Sequence, residues 1–317
     1  MQDLLQIGTF PQLAQDLIDT EFRCHSLQAL EQDAALRASV RAIITRSNCL
    51  VPAEVVERLP SLGMIATCGV GYDLIPLDVA ARRNIVVSNT PDVLNDAVAE
   101  LCVGLLFALL RRIPEGDRFT RSGAWRQRAF PLGVSLAGKR VGIVGLGRIG
   151  KEIARRLAPF GVTLAYFGRS DQRLAWRFEP DLRQLARDSD ILLLCAPGGP
   201  ATEHLVDAAV LDALGPQGYL VNVARGSVVK EEDLIGALAG RAIAGAALDV
   251  FDGEPDIDPR FFDLDNVVLA PHVGSATSET RMAMARLTLD NLHRFFADGS
   301  ALTPVAPCAV PTDLTPE

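Results

Sequence analysis

Over residues 4–90 the chain alternates short apolar or β-branched runs (LLQIG, FRCHSL, RAIITR, GMIATCG, NIVVSNT) with stretches of helical spacing at 53–58 and 77–83. Strands separated by helices at such short intervals predict a parallel sheet covered on both faces, because parallel strands need crossover connections. Residues 92–112 then read as one long helix, with apolar positions at Val98, Leu101, Cys102, Leu105, Leu106 and Leu109 and Pro114 closing it. The segment GDRFTRSGAWRQRAFPLG has weak periodicity and two large aromatics, Trp125 and Phe130, and reads as an extended arm. A second alternation begins at Lys139, where KRVGIVGL, ILLLCAPG, GYLVNVARG, AIAGAALDVF and NVVLAPHVG are nearly continuous apolar strands. Such strands are buried on both faces. A last helix is predicted over 278–297, ending near Gly299, and the Pro- and Thr-rich tail is expected to be loosely ordered beyond about Pro307.

Composition narrows the class. With 317 residues, 49% apolar and 22% charged, the chain is neither disordered nor fibrous, and its size predicts two domains. A net charge of −8 argues against a basic surface, so no nucleic-acid partner is expected. The six cysteines (Cys24, Cys49, Cys68, Cys102, Cys195, Cys308) include no C-x-x-C pair. The start MQDLLQIGTF lacks a basic segment followed by an apolar one, so a reducing, cytoplasmic setting is expected. The longest apolar run, 101–110, is half a membrane span and reads as a buried helix; no membrane partner is expected. No His or Cys spacing points to a metal, and Cys68 and Cys195 on buried strands read as core residues.

One motif carries cofactor chemistry. The strand VGIVGL runs into Gly145-Leu-Gly147-Arg-Ile-Gly150, then a helix, then the strand VTLAYFG. In that context Gly145 permits the tight turn, Gly147 lets backbone approach a pyrophosphate, and Gly150 lets the helix pack on the sheet. The anion then sits at the positive helix end. About 20 residues on, where an acidic residue would bind the ribose of NAD, the chain has Gly168, Arg169 and Ser170. A guanidinium and a hydroxyl suit a 2′-phosphate, so NADPH is expected in preference to NADH. Asp171 is the nearby carboxylate able to take the ribose instead.

Three residues of the second half each follow a predicted strand, on the side where open parallel sheets bind ligands: Arg225 in NVARGSVV, Glu254 in LDVFDGEP and His272 in APHVGS. A strand-end Arg can make a forked contact to a carboxylate. A histidine beside a carboxylate is suited to carry a proton near neutral pH.

The ordered motifs GLGRIG, NVARGSVV, LDVFDGEP and APHVGSAT resemble the D-isomer-specific 2-hydroxyacid dehydrogenase family, and the likeness runs over roughly residues 60–300. The segment TRSGAWRQRAFPLG and the Gly-Arg-Ser signature most resemble its glyoxylate/hydroxypyruvate reductase branch. The resemblance implies an α/β protein of two Rossmann-like or flavodoxin-like parallel-sheet domains. The cofactor domain (95–286) is inserted into the substrate domain (1–94 and 287–317). It implies His272 as acid/base, Glu254 as its partner, and Arg225 as substrate clamp. It places the substrate carboxylate on the amides of Val70 and Gly71 in CGVGYD, with Arg225 and His272 completing the substrate contacts. The cofactor set it implies is Gly145, Gly147, Arg148, Ile149, Gly150, Gly168, Arg169, Ser170, Ala196, Pro197, Thr202, Val223, Asp249, His272 and Gly274, with Asp249 on the nicotinamide carboxamide. Asn89, Thr90 and Pro91 are the expected hinge, since closure excludes water. Gly198-Gly199 replaces the Leu-Thr of many relatives. The activity implied is NADPH-dependent reduction of hydroxypyruvate or glyoxylate to a D-2-hydroxy acid by a homodimer. The alternatives are a reductase of bulkier 2-oxo acids such as phenylpyruvate or hydroxyphenylpyruvate, a phosphoglycerate or phosphite dehydrogenase, and a dinucleotide-sensing corepressor of the same fold.

Overall fold

The computed structural model describes residues 1–305, and the expectation for the tail beyond Pro307 lies outside them. The chain divides into two compact units, Met1–Leu94 with the segment from Ser275 onward, and Asn95–Gly274.

The first unit holds β1 (Gln2–Ile7), α1 (Gln12–Glu21), β2 (Phe22–His25), α2 (Leu27–Gln32), α3 (Ala34–Ser39), β3 (Ala42–Arg46), α4 (Ala53–Glu57), β4 (Met64–Cys68), α5 (Leu77–Arg82) and β5 (Val86–Ser88). Its five strands pair in parallel in the order β2-β1-β3-β4-β5. Alternate strand residues point to opposite faces, and both faces are covered. On one face Leu5, Ile43, Ile65 and Val87 pack with Leu30, Val56 and Val79 of the helices. On the other, Leu4, Ala42, Ile44, Met64 and Ala66 pack with Ile18, Leu289, Leu292 and Phe295. The last three belong to the final helix (Ser278–Asp298), which packs on β4 and α1. For that reason the chain returns to the first unit at Ser275, before this helix, and not within it at residue 287.

The second unit contains α6 (Asn95–Leu110), α7 (Ile113–Arg121), β6 (Arg140–Val144), α8 (Arg148–Leu157), β7 (Thr163–Phe167), β8 (Arg177–Phe178), α9 (Leu182–Arg187), β9 (Ile191–Leu194), α10 (Ala208–Leu214), β10 (Tyr219–Asn222), α11 (Glu231–Ala239), β11 (Gly245–Leu248) and β12 (Val267–Leu269). Its seven strands are all parallel, in the order β12-β11-β10-β9-β6-β7-β8. The order reverses between β6 and β9, and the crevice outside the carboxyl ends of these strands is where such sheets take dinucleotides.

Two expectations are corrected. The helix predicted over 92–112 is α6 (Asn95–Leu110), and Arg112, in the left-handed region (φ 54°), separates it from a further helix, α7, where none was expected. Pro114 sits in the first turn of α7, where its missing N–H costs nothing, and so opens a helix instead of closing one. The arm therefore begins as helix, supported by the Arg121 to Asp117 pair at 2.8 Å, and is irregular only after a short 3₁₀ turn at Ala124–Arg126.

Leu106 is fully buried on α6, which packs on α8. Leu106→Ala leaves a cavity and is expected to destabilise the protein by about 2–5 kcal/mol. The midpoint of urea unfolding checks this; an unchanged midpoint would show that this face of α6 adds nothing.

Candidate active site

The glycine turn follows β6 directly. Gly145 has φ 96°, and a Cβ there would lie 2.7 Å from Ala196 Cα, so both the turn and the approach of the chain after β9 require glycine. A Cβ on Gly150 would collide with the Gly145 carbonyl oxygen, which seats α8 tightly on the turn. Gly147 caps α8 with no side-chain hydrogen bond, and the space beside its Cα is open. The amides of the first turn, which begins with Arg148 and Ile149, thus have no side-chain acceptor from the cap and lie at the positive helix end. This cradle fits a dinucleotide pyrophosphate. Beneath it, the Cys195 thiol donates to the Gly145 carbonyl at 2.9 Å, and burial pushes that thiol up to about 12. Burial also raises Cys68, which is almost fully enclosed, so neither residue is a reactive thiolate.

Gly168, Arg169 and Ser170 follow β7, the latter two exposed. Asp171 is turned back into its own loop. The Arg173 amide (2.8 Å) and the Tyr166 hydroxyl (3.0 Å) bond to its carboxylate and hold it below the usual range. The Tyr166 oxygen accepts in turn from the Gln172 amide at 2.7 Å, and Gln172 Nε2 donates to the Leu146 carbonyl at 2.7 Å. The loop after β7 is thereby tied to the glycine turn. Ala196 and Pro197 follow β9, and the Thr202 hydroxyl closes that loop onto the Pro197 carbonyl at 2.6 Å. Val223 extends the β9–β10 ladder, its amide donating to Leu194 O at 3.1 Å.

Arg225, Glu254 and His272 follow β10, β11 and β12 in turn. Asn222 bonds its own loop, Nδ2 donating to Arg225 O and Oδ1 accepting from the Ala224 amide, both at 3.0 Å. Gly226 lies so close to the Phe251–Asp252 backbone that any Cβ would collide with it, which sets the turn carrying Arg225 against the loop carrying Glu254. Glu254 accepts from the Phe251 amide at 2.9 Å and meets His272 Nδ1 at 2.6 Å. Burial raises the Glu254 pKa, but the hydrogen bond and charge of His272, the Phe251 amide and the Arg225 charge outweigh it and leave the group below its ordinary value. A carboxylate only accepts, so Nδ1 carries the ring proton facing it and Nε2 is the ring nitrogen left facing away from Glu254.

His272 itself has φ 51°, a left-handed conformation that needs support. Asp249, 2% exposed at the end of β11, accepts from the Val273 amide at 2.7 Å and the Gly274 amide at 2.8 Å. Burial raises its pKa against the opposing pull of those amides and the His272 charge. Asp249 thus holds the loop that presents His272, a contact the sequence reading did not anticipate.

Val70 and Gly71 lie in the first unit, after β4. Gly69 has φ 152° and is pressed against the Ser47 side chain. Thr90 clamps it through two bonds, Gly69 N to Oγ1 (3.0 Å) and Thr90 N to Gly69 O (2.9 Å), while Asn89 Nδ2 donates to Val70 O at 2.9 Å. Residues read as a hinge are therefore the direct supports of this loop. Asn222, Gln172 and Ser47 were missed. An Asn just after a strand, able to bond its own backbone, was the available signal for Asn222.

Residues 103–274 match the family model of the D-isomer specific 2-hydroxyacid dehydrogenase NAD binding domain. The glyoxylate/hydroxypyruvate reductase A of Arabidopsis thaliana is 46% identical over 270 residues, 85% of this chain and 86% of its own. The 2-ketogluconate reductase of Gluconobacter oxydans is 44% identical over 304 residues, 96% of this chain and 98% of its own. Among solved structures, the NADPH-dependent glyoxylate/hydroxypyruvate reductase of Sinorhizobium meliloti, in complex with NADP and malonate, superposes with a TM-score of 0.90 at 42% identity, covering 96% of this chain and 97% of that one. The chain belongs to the D-isomer-specific 2-hydroxyacid dehydrogenase family. Its activity is that of an NAD(P)-dependent 2-hydroxyacid dehydrogenase/2-oxo acid reductase.

The stability contributed by Glu254 is complete above its ordinary pKa of 4.5 and is lost as pH falls through its lowered folded value. Melting temperature plotted against pH should show that acid loss in the native chain and a smaller one in Glu254→Gln; parallel curves would remove Glu254 from the acid transition. Gly226→Ala should force the Arg225 turn off the Glu254 loop, cutting kcat/KM about a hundredfold or more while dinucleotide binding persists. Near-normal kcat/KM would show that this close approach is dispensable.

Proposed function

We propose that the protein reduces glyoxylate to glycolate, or hydroxypyruvate to the D-2-hydroxy acid, with NADPH preferred over NADH. The observation that carries the chemistry is the His272–Glu254 pair at 2.6 Å on a loop held by Asp249. A nicotinamide dinucleotide bound along the glycine turn supplies the hydride. His272 delivers from Nε2 the proton the carbonyl oxygen requires, and Glu254 stabilises the imidazolium and fixes the ring. Arg225 holds the substrate carboxylate and stabilises negative charge growing on the carbonyl oxygen. Val70 and Gly71 offer backbone amides suited to a substrate carboxylate. Asp249, beside its loop contacts, and Gly274 serve the carboxamide end of the cofactor.

The NADPH preference is supported by the exposed Arg169 and Ser170, with Asp171 engaged in its own loop. It is supported also by the NADP held by the Sinorhizobium meliloti relative. A second reading, reduction of a polyhydroxylated acid such as 2-ketogluconate, is favoured by the near full-length match to the Gluconobacter oxydans enzyme. The reading includes a homodimer, supported by the exposed apolar arm, where Trp125 is 70% and Leu132 95% exposed. The free cysteines fit a reducing, cytoplasmic setting.

Initial rates of NADPH and NADH oxidation with glyoxylate, hydroxypyruvate, 2-ketogluconate and phenylpyruvate test the assignment. Faster oxidation of NADPH with glyoxylate or hydroxypyruvate is expected, and binding of NADPH without turnover of any of them would favour a sensing role instead. His272→Ala should lower kcat by about 10²- to 10⁴-fold with NADPH affinity retained. Arg169→Ala should weaken NADPH about tenfold and leave NADH alone; equal losses would remove the 2′-phosphate contact.

A further inference from the structure

Glu254 stands in a turn, 252–256, that runs between two buried anchors, Phe251 and Phe261. Consecutive amides at its start are taken by two carboxylates. Glu254 itself accepts from the Phe251 amide at 2.9 Å, and Glu231 Oε2 accepts from the Asp252 amide at 3.0 Å. Glu231 is the first residue of α11, on the segment that leads away from Arg225. Between them Gly226 lies directly against the Phe251–Asp252 backbone. The segment that carries Arg225 at one end therefore holds the Glu254 turn at the other.

Glu231 is half-buried in this position. Burial and the charges of Asp252 and Asp258 raise its pKa, against the opposing pull of the Asp252 amide and Arg260. A carboxylate kept from water at that cost is a placed group. Its neighbour Glu232 is different: its side chain is 69% exposed and pairs with the exposed Arg260 at 2.6 Å, a surface contact of small worth.

We infer that Glu231 is a positioning residue for proton transfer, fixing through the Asp252 amide the turn from which Glu254 meets His272. This role rests on the proposed use of His272 as proton donor to a 2-oxo acid, and Glu231 acts in it only through Glu254. Without the acceptor, the Asp252 amide loses its partner and the turn loosens two residues before Glu254. The imidazolium then loses part of its stabilisation, so reduction, which consumes that proton, fails at a lower pH. The other charges acting on the pair, Asp249 and Arg225, are left in place.

Rates of glyoxylate and hydroxypyruvate reduction by NADPH are followed from neutral to basic pH, with NADPH affinity as the check on folding. Glu231→Ala removes the acceptor, Glu231→Asp withdraws it, and Glu231→Gln keeps it. The first two should lower kcat about tenfold and move the basic limb of the pH profile about half a unit or more toward acid, with NADPH affinity held. Glu231→Gln should restore most of both, and Glu232→Ala should leave the limb in place. In a Glu254→Gln background, adding Glu231→Ala should move the limb no further, because the two act in series. If Glu231→Ala fails to bind NADPH, Glu231→Asp decides. An unmoved limb, an equal shift in Glu232→Ala, or a further shift in the Glu254→Gln background would overturn the inference and leave the reductase reading standing. A limb unmoved by Glu254→Gln alone would instead remove the pair's role in proton transfer, and this inference with it.

Discussion

A carboxylate withdrawn from water must find hydrogen-bond donors or lose its charge, and the second unit uses that constraint at Asp249. Its two oxygens are taken by consecutive amides, those of Val273 and Gly274. Satisfying the buried charge and bending the chain into the left-handed conformation of His272 are the same event. The histidine ring is then aimed at Glu254, whose other oxygen is held by the Phe251 amide. The orientation of that ring is thereby set by backbone amides at the ends of two strands, and not by packing of flexible side chains.

The same reliance on backbone contacts recurs around the dinucleotide cradle. Gly145, Gly150 and Gly226 are places where one backbone segment lies directly on another. The polar side chains nearby, Thr202, Gln172 and Asn222, direct their hydrogen bonds to main-chain groups. In the first unit Thr90 and Asn89 do likewise for Gly69 and Val70. In both units these loops are held through their main chains by polar side chains.

Much of this was legible in the residues. Uninterrupted apolar strands declared two parallel sheets, and the glycine spacing between a strand and a helix marked the cradle. Arg225, Glu254 and His272 were visible because each stands just past a strand. What stayed hidden depends on geometry that several sequences could satisfy. Pro114 is compatible with closing one helix or opening the next, and only the left-handed Arg112 decides between them. The two residues of β8 are too few to show a period. The contact of Asp249 with the His272 loop joins residues that follow different strands, and no local pattern announces it.

The placement of the last helix has a consequence for how the chain is made. One face of the first sheet is closed by Leu289, Leu292 and Phe295, so Leu4, Ile44 and Met64 lack their cover until that helix has been synthesised. The second unit contains all its own strands and can complete its core earlier. During translation the first 94 residues therefore wait, with apolar surface open, for a helix made only after the whole second unit. Protecting that waiting sheet until the last helix arrives is part of what the inserted arrangement demands of the cell.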